Sequence, residues 1–199
     1  MDNRKLKIGS LATGLGLVTL PFGGWIPAAI AAGVGVMVGN QQFPAGEKPW
    51  RDLHELLNEG EHGRLEFKAN LSNGKKSPFD GIVKTIAAFA NTDGGELIIG
   101  ITDDGEITGL EPLIQKYKKT DRLECSVRDA IRNNIDTGID RLYRLKFEDY
   151  EDHLLCRVEV TKSRKHVFLN DGSFYIRDGN RTIALSPREY NKLKSDEEL

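Results

Sequence analysis

The chain has 199 residues, enough for one well-buried domain with an appendage, and its 28 basic against 30 acidic residues leave a net charge of −2. That balance excludes a global basic field for a polyanion, so positive charge acts locally, at Lys75/Lys76, Lys116/Lys118/Lys119, Arg141/Arg144/Lys146 and Lys162/Arg164/Lys165. Two cysteines, Cys125 and Cys156, are too few for a disulfide scaffold or a four-ligand zinc site, and a reducing compartment fits them.

The first 46 residues differ in kind from the rest. After Arg4, Lys5 and Lys7 no charged residue occurs until Glu47. As one helix, Ile8 to Val38 would be roughly 45 Å long, more than the ~30 Å hydrocarbon core requires. Pro21-Phe22-Gly23-Gly24-Trp25-Ile26-Pro27 breaks it into arms of about 20 Å each, so a kinked span or a helical hairpin is expected. The bend, with Trp25 beside it, favours the hairpin. The early basic residues favour a cytoplasmic N-terminus, and a hairpin then keeps the rest of the chain in the cytoplasm.

A signal peptide ending at Ala29-Ile30-Ala31 and a glycine-rich soluble hairpin are the rival readings. The prolines and the length of the apolar stretch weigh against the signal peptide. Ala12/Gly16 and Ala31/Gly35/Gly39 form small-residue ridges that let helices approach in lipid, which points to a homo-oligomer. The expected organisation is a membrane segment over 1–40 with lipid as its partner, a linker over 41–49, and an α/β domain over 50–199.

Within that domain, Trp50 to Asn58 has apolar residues at helical spacing and Arg64 to Ala69 reads as a short strand. Ser77-Pro78 starts a helix with Phe79, Ile82, Val83, Ile86 and Phe89 on one face, which Gly94-Gly95 ends. Leu97 to Ile101 is apolar on both faces, as a central strand is. Asp104-Gly105 turns the chain, and Thr120 caps a helix carrying Leu123, Val127, Ile131 and Ile135. Alternation predicts a hairpin around Tyr150 to Asp152 and a second around Asp178-Gly179-Asn180. Ser186-Pro187 opens a last helix. The fold class expected is α/β, a small mixed sheet with flanking helices.

Glu66 and Lys68 share one face of their strand, Asp103 follows the central strand, and Glu61 lies within reach if its turn folds back. Three converging carboxylates raise one another's pKa unless a cation joins them. Mg²⁺ or Mn²⁺ suits such oxygen donors, and Lys68 is then placed to neutralise a phosphate oxygen. Spacing alone leaves a structural acidic cluster as the commoner reading. Arg177, Arg181, Lys162, Arg164 and Lys165 are candidates for phosphate contacts, with a solvated hairpin rim as the alternative.

The order Glu61-x-x-x-x-Glu66-Phe67-Lys68, Phe89-Ala90-Asn91-Thr92-x-Gly94-Gly95, Gly100-Ile101-x-Asp103, Ile107-Thr108-Gly109-Leu110 and Phe174-Tyr175-Ile176-Arg177-x-Gly179 resembles the Schlafen AlbA-like family. The resemblance implies a divalent-metal endoribonuclease acting on tRNA or similar structured RNA, with Glu61, Glu66 and Asp103 as metal ligands. A stress or anti-phage role would suit such an activity at a membrane. Asn91, Gly94 and Gly95 belong to the same signature and read as structural. The chain departs from the animal proteins in having one lobe rather than two, no cysteine cluster and no helicase region. Many bacterial members are described only as DNA-binding, so a non-catalytic DNA- or RNA-binding module, or a membrane scaffold, stands beside the nuclease.

Overall fold

The computed structural model describes residues 17–19, 25–27, 48–71, 79–136 and 138–197. They fall into two units, Met1–Trp50 and Arg51–Leu199.

In the first unit, β1 (Leu17–Thr19) pairs antiparallel with β2 (Trp25–Pro27), Leu17 opposite Pro27. At these six residues the expected helical hairpin is corrected to an extended one. Val18, Thr19, Trp25 and Ile26 are branched or aromatic residues that favour strands, and Pro27 sits at a strand end where its missing N–H costs nothing. The rest of the expected membrane segment lies outside the described residues, as does the Ser77-Pro78 helix start. Among the described residues no helix is long and apolar enough to cross a membrane.

The second unit begins with α1 (Leu53–Glu59), whose Asp52 cap accepts a hydrogen bond from the Glu55 N–H. A β-α-β unit follows, made of β3 (Leu65–Lys68), α2 (Asp80–Asn91) and β4 (Gly95–Ile99). Its strands run parallel, Glu66 beside Leu97 and Lys68 beside Ile99. After α3 (Glu111–Tyr117) and α4 (Thr120–Asn134), the hairpin β5 (Tyr143–Tyr150) and β6 (His153–Val160) completes a four-stranded sheet of order β3-β4-β6-β5. The hairpin β7 (Phe174–Asp178) and β8 (Arg181–Leu185) and the helix α5 (Pro187–Glu197) close the unit.

This is the small mixed sheet with flanking helices that the sequence predicts. The hairpin turns fall at Glu151-Asp152 and Gly179-Asn180, with left-handed backbone at Glu151, Asp152 and Gly179. Ser186 caps α5 as half of a reciprocal box with Glu189. Thr120, expected as a cap, is instead the first residue of α4 and follows Lys119. The helix α3 has no counterpart in the sequence reading, although Leu113, Ile114 and Tyr117 pack partly buried against the core.

β4 is buried along its whole length, which explains its lack of alternation. One face of the sheet packs Leu65, Phe67, Ile98 and Leu155 against Leu53 and Leu56 of α1. The other packs Leu97, Ile99, Leu145, Cys156 and Val158 against α2 and α4. Cys156 is wholly buried, and burial pushes its thiol far above the ordinary value, so it serves the core and not nucleophilic chemistry.

The Gly94-Gly95 pair follows from close approach. A Cβ on Gly94, at φ +70°, would stand 2.6 Å from the Val160 carbonyl oxygen. One on Gly95 would meet the Phe89 ring at 2.5 Å and the Arg64 carbonyl at 2.9 Å.

A charge lies inside the sheet's α1 face. Arg157, 1% exposed, donates from Nε to Glu96 at 2.8 Å, from Nη1 to Glu148 at 2.8 Å and from Nη2 to the Arg51 carbonyl at 3.0 Å. Removing the guanidinium alone leaves Glu96 buried and uncompensated. Arg157→Met is therefore expected to destabilise the domain by about 3–5 kcal/mol in urea unfolding. Adding Glu96→Leu should recover more than half of that loss.

Candidate functional site

The site grows from the turn ahead of β3. The His62 and Leu65 backbones exchange hydrogen bonds of 2.9 and 3.0 Å, reversing the chain so tightly that Glu61 comes back alongside β3. Its Oε1 accepts the Phe67 N–H at 2.8 Å. The turn thus folds back as the site requires.

Glu66 follows on the α2 face of the sheet and is only 7% exposed. Lys68, two residues on and therefore on the same face, brings Nζ to 2.5 Å from Glu66 Oε1. Arg177 reaches from β7 to place Nη1 2.8 Å from Glu66 Oε2. That ion pair lacks the alignment of a hydrogen bond, so Oε2 is buried with no hydrogen bond at all. Asp103 sits four residues past β4, exposed on the turn that Thr102 and Glu106 close by backbone hydrogen bonding.

Glu61 reports on the whole group. Its pKa is raised, chiefly by burial, and further by the charges of Glu66 and Asp103. The Phe67 N–H and the Lys68 charge pull the other way. Glu66, Lys68 and Asp103 therefore each lie within electrostatic reach of Glu61.

Among the described residues no three His, Cys, Asp or Glu side chains form a ready-made ion cage. A hard ion such as Mg²⁺ does not need one, since it keeps several waters and takes one or two carboxylates. An oxygen-only donor set, a buried carboxylate oxygen without a hydrogen bond and a neighbouring carboxylate with raised pKa fit such an ion in chemistry.

The five basic candidates separate. Lys162, Arg164 and Lys165 are exposed on the loop after β6, with Lys162 Nζ 3.4 Å from Asp93. Arg181 is exposed on β8 and pairs with Asp178 at 3.3 Å. Arg177 does not join them. It is 6% exposed, stacks over the Phe89 ring at 5.0 Å and donates to Thr182 Oγ1 at 2.9 Å. Arg177 is thus internal, held by a carboxylate too distant in sequence for the strand pattern to reveal.

Asn91 is the structural residue the signature suggests. It donates to the Val167 and Tyr175 carbonyls at 2.8 and 2.9 Å and accepts the Val167 N–H at 2.8 Å.

The profile of the family described as Schlafen, AlbA_2 matches residues 61–186, more than half of the chain. The chain belongs to this Schlafen AlbA-like family, whose domains are associated with the binding and processing of nucleic acid. Among solved structures, the crystal structure of the DIP2311 protein from Corynebacterium diphtheriae is similar at 20% identity and a TM-score of 0.48. The similarity covers 71% of this chain and 27% of that one, so this chain spans about a quarter of its length. No curated protein matches the chain.

The raised pKa of Glu61 has a thermodynamic sign. The folded state holds this proton more tightly than the unfolded chain, so ionising Glu61 costs stability as pH rises through and above the ordinary carboxylate range. Glu61→Gln keeps the acceptor for Phe67 and removes the charge. In chelator at neutral pH it is expected to stabilise the domain slightly, by less than about 1 kcal/mol for a partly solvated group, read as a small rise in melting temperature. That advantage should vanish in melts run below the ordinary carboxylate pKa.

Proposed function

We propose that this domain hydrolyses RNA phosphodiesters with a divalent ion held by Glu61, Glu66 and Asp103, directly or through water. The observation that carries the reading is Glu66, a carboxylate buried on a strand with one oxygen left without a hydrogen bond. Arg177 balances the charge of that oxygen without an aligned hydrogen bond, which leaves its lone pairs available to an ion. Mg²⁺ or Mn²⁺ there would polarise the phosphodiester and activate a water.

The chain's own residues do the rest. Glu61 and Glu66 supply hard oxygens from a rigid turn and strand. Lys68, no longer needed to balance Glu66, donates to a phosphate oxygen where negative charge develops. Arg177 holds Glu66 from below through its contacts to Phe89 and Thr182. Lys162, Arg164, Lys165 and Arg181 hold backbone phosphates and set register without reading bases.

Structured RNA such as tRNA is the substrate that the family resemblance supports. The uncharged stretch 8–38 supports, on sequence alone, a membrane-seated first unit, a cytoplasmic catalytic unit and self-association.

One observation favours a second reading. Lys68 and Arg177 each face one oxygen of Glu66, so its charge is balanced with no ion, as in a non-catalytic nucleic-acid-binding module. Cleavage of a total tRNA pool with Mn²⁺ or Mg²⁺, and then with chelator, separates the two. Discrete metal-dependent fragments are expected, reduced at least about 100-fold in Glu66→Gln and Asp103→Ala. Intact tRNA, bound equally by wild type and variants and released steeply by salt, would establish the binding module.

A further inference from the structure

We propose that the cleft beside the end of α2 seats a phosphate of the bound nucleic acid, and that Glu197 occupies this seat in the free protein. The inference takes its ligand class from the nucleic-acid reading above and does not depend on cleavage.

The cleft has a volume of about 480 Å³, and Lys162, Arg164, Lys165 and His166 line it. A chain of net charge −2 thus concentrates three cations around one cavity. The loop that carries them is fixed at both ends to α2. The Ser163 N–H donates to the Ala90 carbonyl at 2.8 Å, and the Val167 N–H donates to Asn91 Oδ1 at 2.8 Å. Between these anchors the Lys165 N–H donates to Ser163 Oγ at 3.1 Å. The cations therefore project from a set backbone, which lowers the ordering cost of binding.

One acid lines the cleft, Glu197, and it comes from the last described turn of α5 and not from the loop. Its Oε2 lies 2.8 Å from His166 Nε2. The imidazole is aimed by its surroundings. Its Nδ1 lies 3.0 Å from the Tyr190 hydroxyl, and its ring stands edge-on to Phe174 and Tyr190 at 5.2 and 5.3 Å. His166 thus presents Nε2 to whatever anion enters.

A carboxylate and a phosphodiester both offer one negative charge and paired acceptor oxygens, so they compete for the same seat. The carboxylate is easily displaced. The Glu197 side chain is 53% exposed, and solvated ion pairs of this kind contribute little to stability. An entering phosphate takes the place of Glu197 on His166 and gains the cations that line the cleft, Lys162 turning to it from Asp93, while Glu197 moves into water.

The test is fluorescence anisotropy with a short fluorescein-labelled single-stranded RNA. Wild type is compared with Glu197→Gln, Lys165→Ala and the double variant. Glu197→Gln is expected to lower Kd about two- to fivefold, an effect that shrinks as salt rises. Lys165→Ala should weaken binding, and in its background the gain from Glu197→Gln should fall, since the two residues act on one seat. An unchanged Kd in Glu197→Gln, or full additivity in the double variant, overturns the inference. No binding by any of the four proteins overturns it together with the nucleic-acid reading. Tighter binding by Glu197→Gln without any cleavage supports the inference while removing the nuclease.

Discussion

One side chain holds the site together. Asn91, at the last turn of α2, binds the backbones of two separate segments, Val167 ahead of the second hairpin and Tyr175 within it. These bonds set β7 against the helix end, which brings Arg177 over Phe89 and onto Glu66. The same bonds fix the far end of the basic loop. An amide can do this because it donates and accepts from one planar group, so each segment meets a partner of the right polarity. Loss of that bridge would release the buried arginine and the loop cations together.

Much of this was legible in the residues. The apolar run of β4, the α2 stripe and the two hairpins carry local signals of period and turn chemistry, and the structure follows them. Glu61 and Glu66 were legible as neighbours because a tight turn and a strand are local features too, whereas their grouping with Asp103 as a site came from the family resemblance. What stayed hidden depends on distant partners. Arg177 reads as one more cation on a hairpin until its contact with Glu66 is seen, 111 positions away in the sequence. Arg157 likewise reads as the charged member of an alternating strand, whereas it is buried against Glu96 and Glu148. α3 was missed although Leu110, Leu113, Ile114 and Tyr117 recur at helical spacing, because the helix has only seven residues and none fully buried.

Charge compensation is the theme common to both faces of the sheet, yet it is handled differently on each. On the α1 face, Arg157 is saturated by two carboxylates and a carbonyl, a closed arrangement that orders β4 against β6. On the α2 face, Glu66 receives two cations but keeps an oxygen without a hydrogen bond. The first is complete and the second is not. That oxygen still faces the Arg177 guanidinium at 2.8 Å, so its charge is compensated even without an aligned donor.

The place of β3 in the sheet carries a different consequence. Among the described strands β3 is an outer one, paired only with β4, and its far side is partly taken up by the His62 backbone at Leu65 and by Glu61 at Phe67. Glu61 accepts the Phe67 N–H on that side, standing where the carbonyl of a fifth strand would otherwise dock. A carboxylate there repels an incoming strand's carbonyl oxygen while satisfying the donor itself. The residue proposed to hold an ion thus also covers a donor at the edge of the sheet, and one oxygen atom serves both purposes.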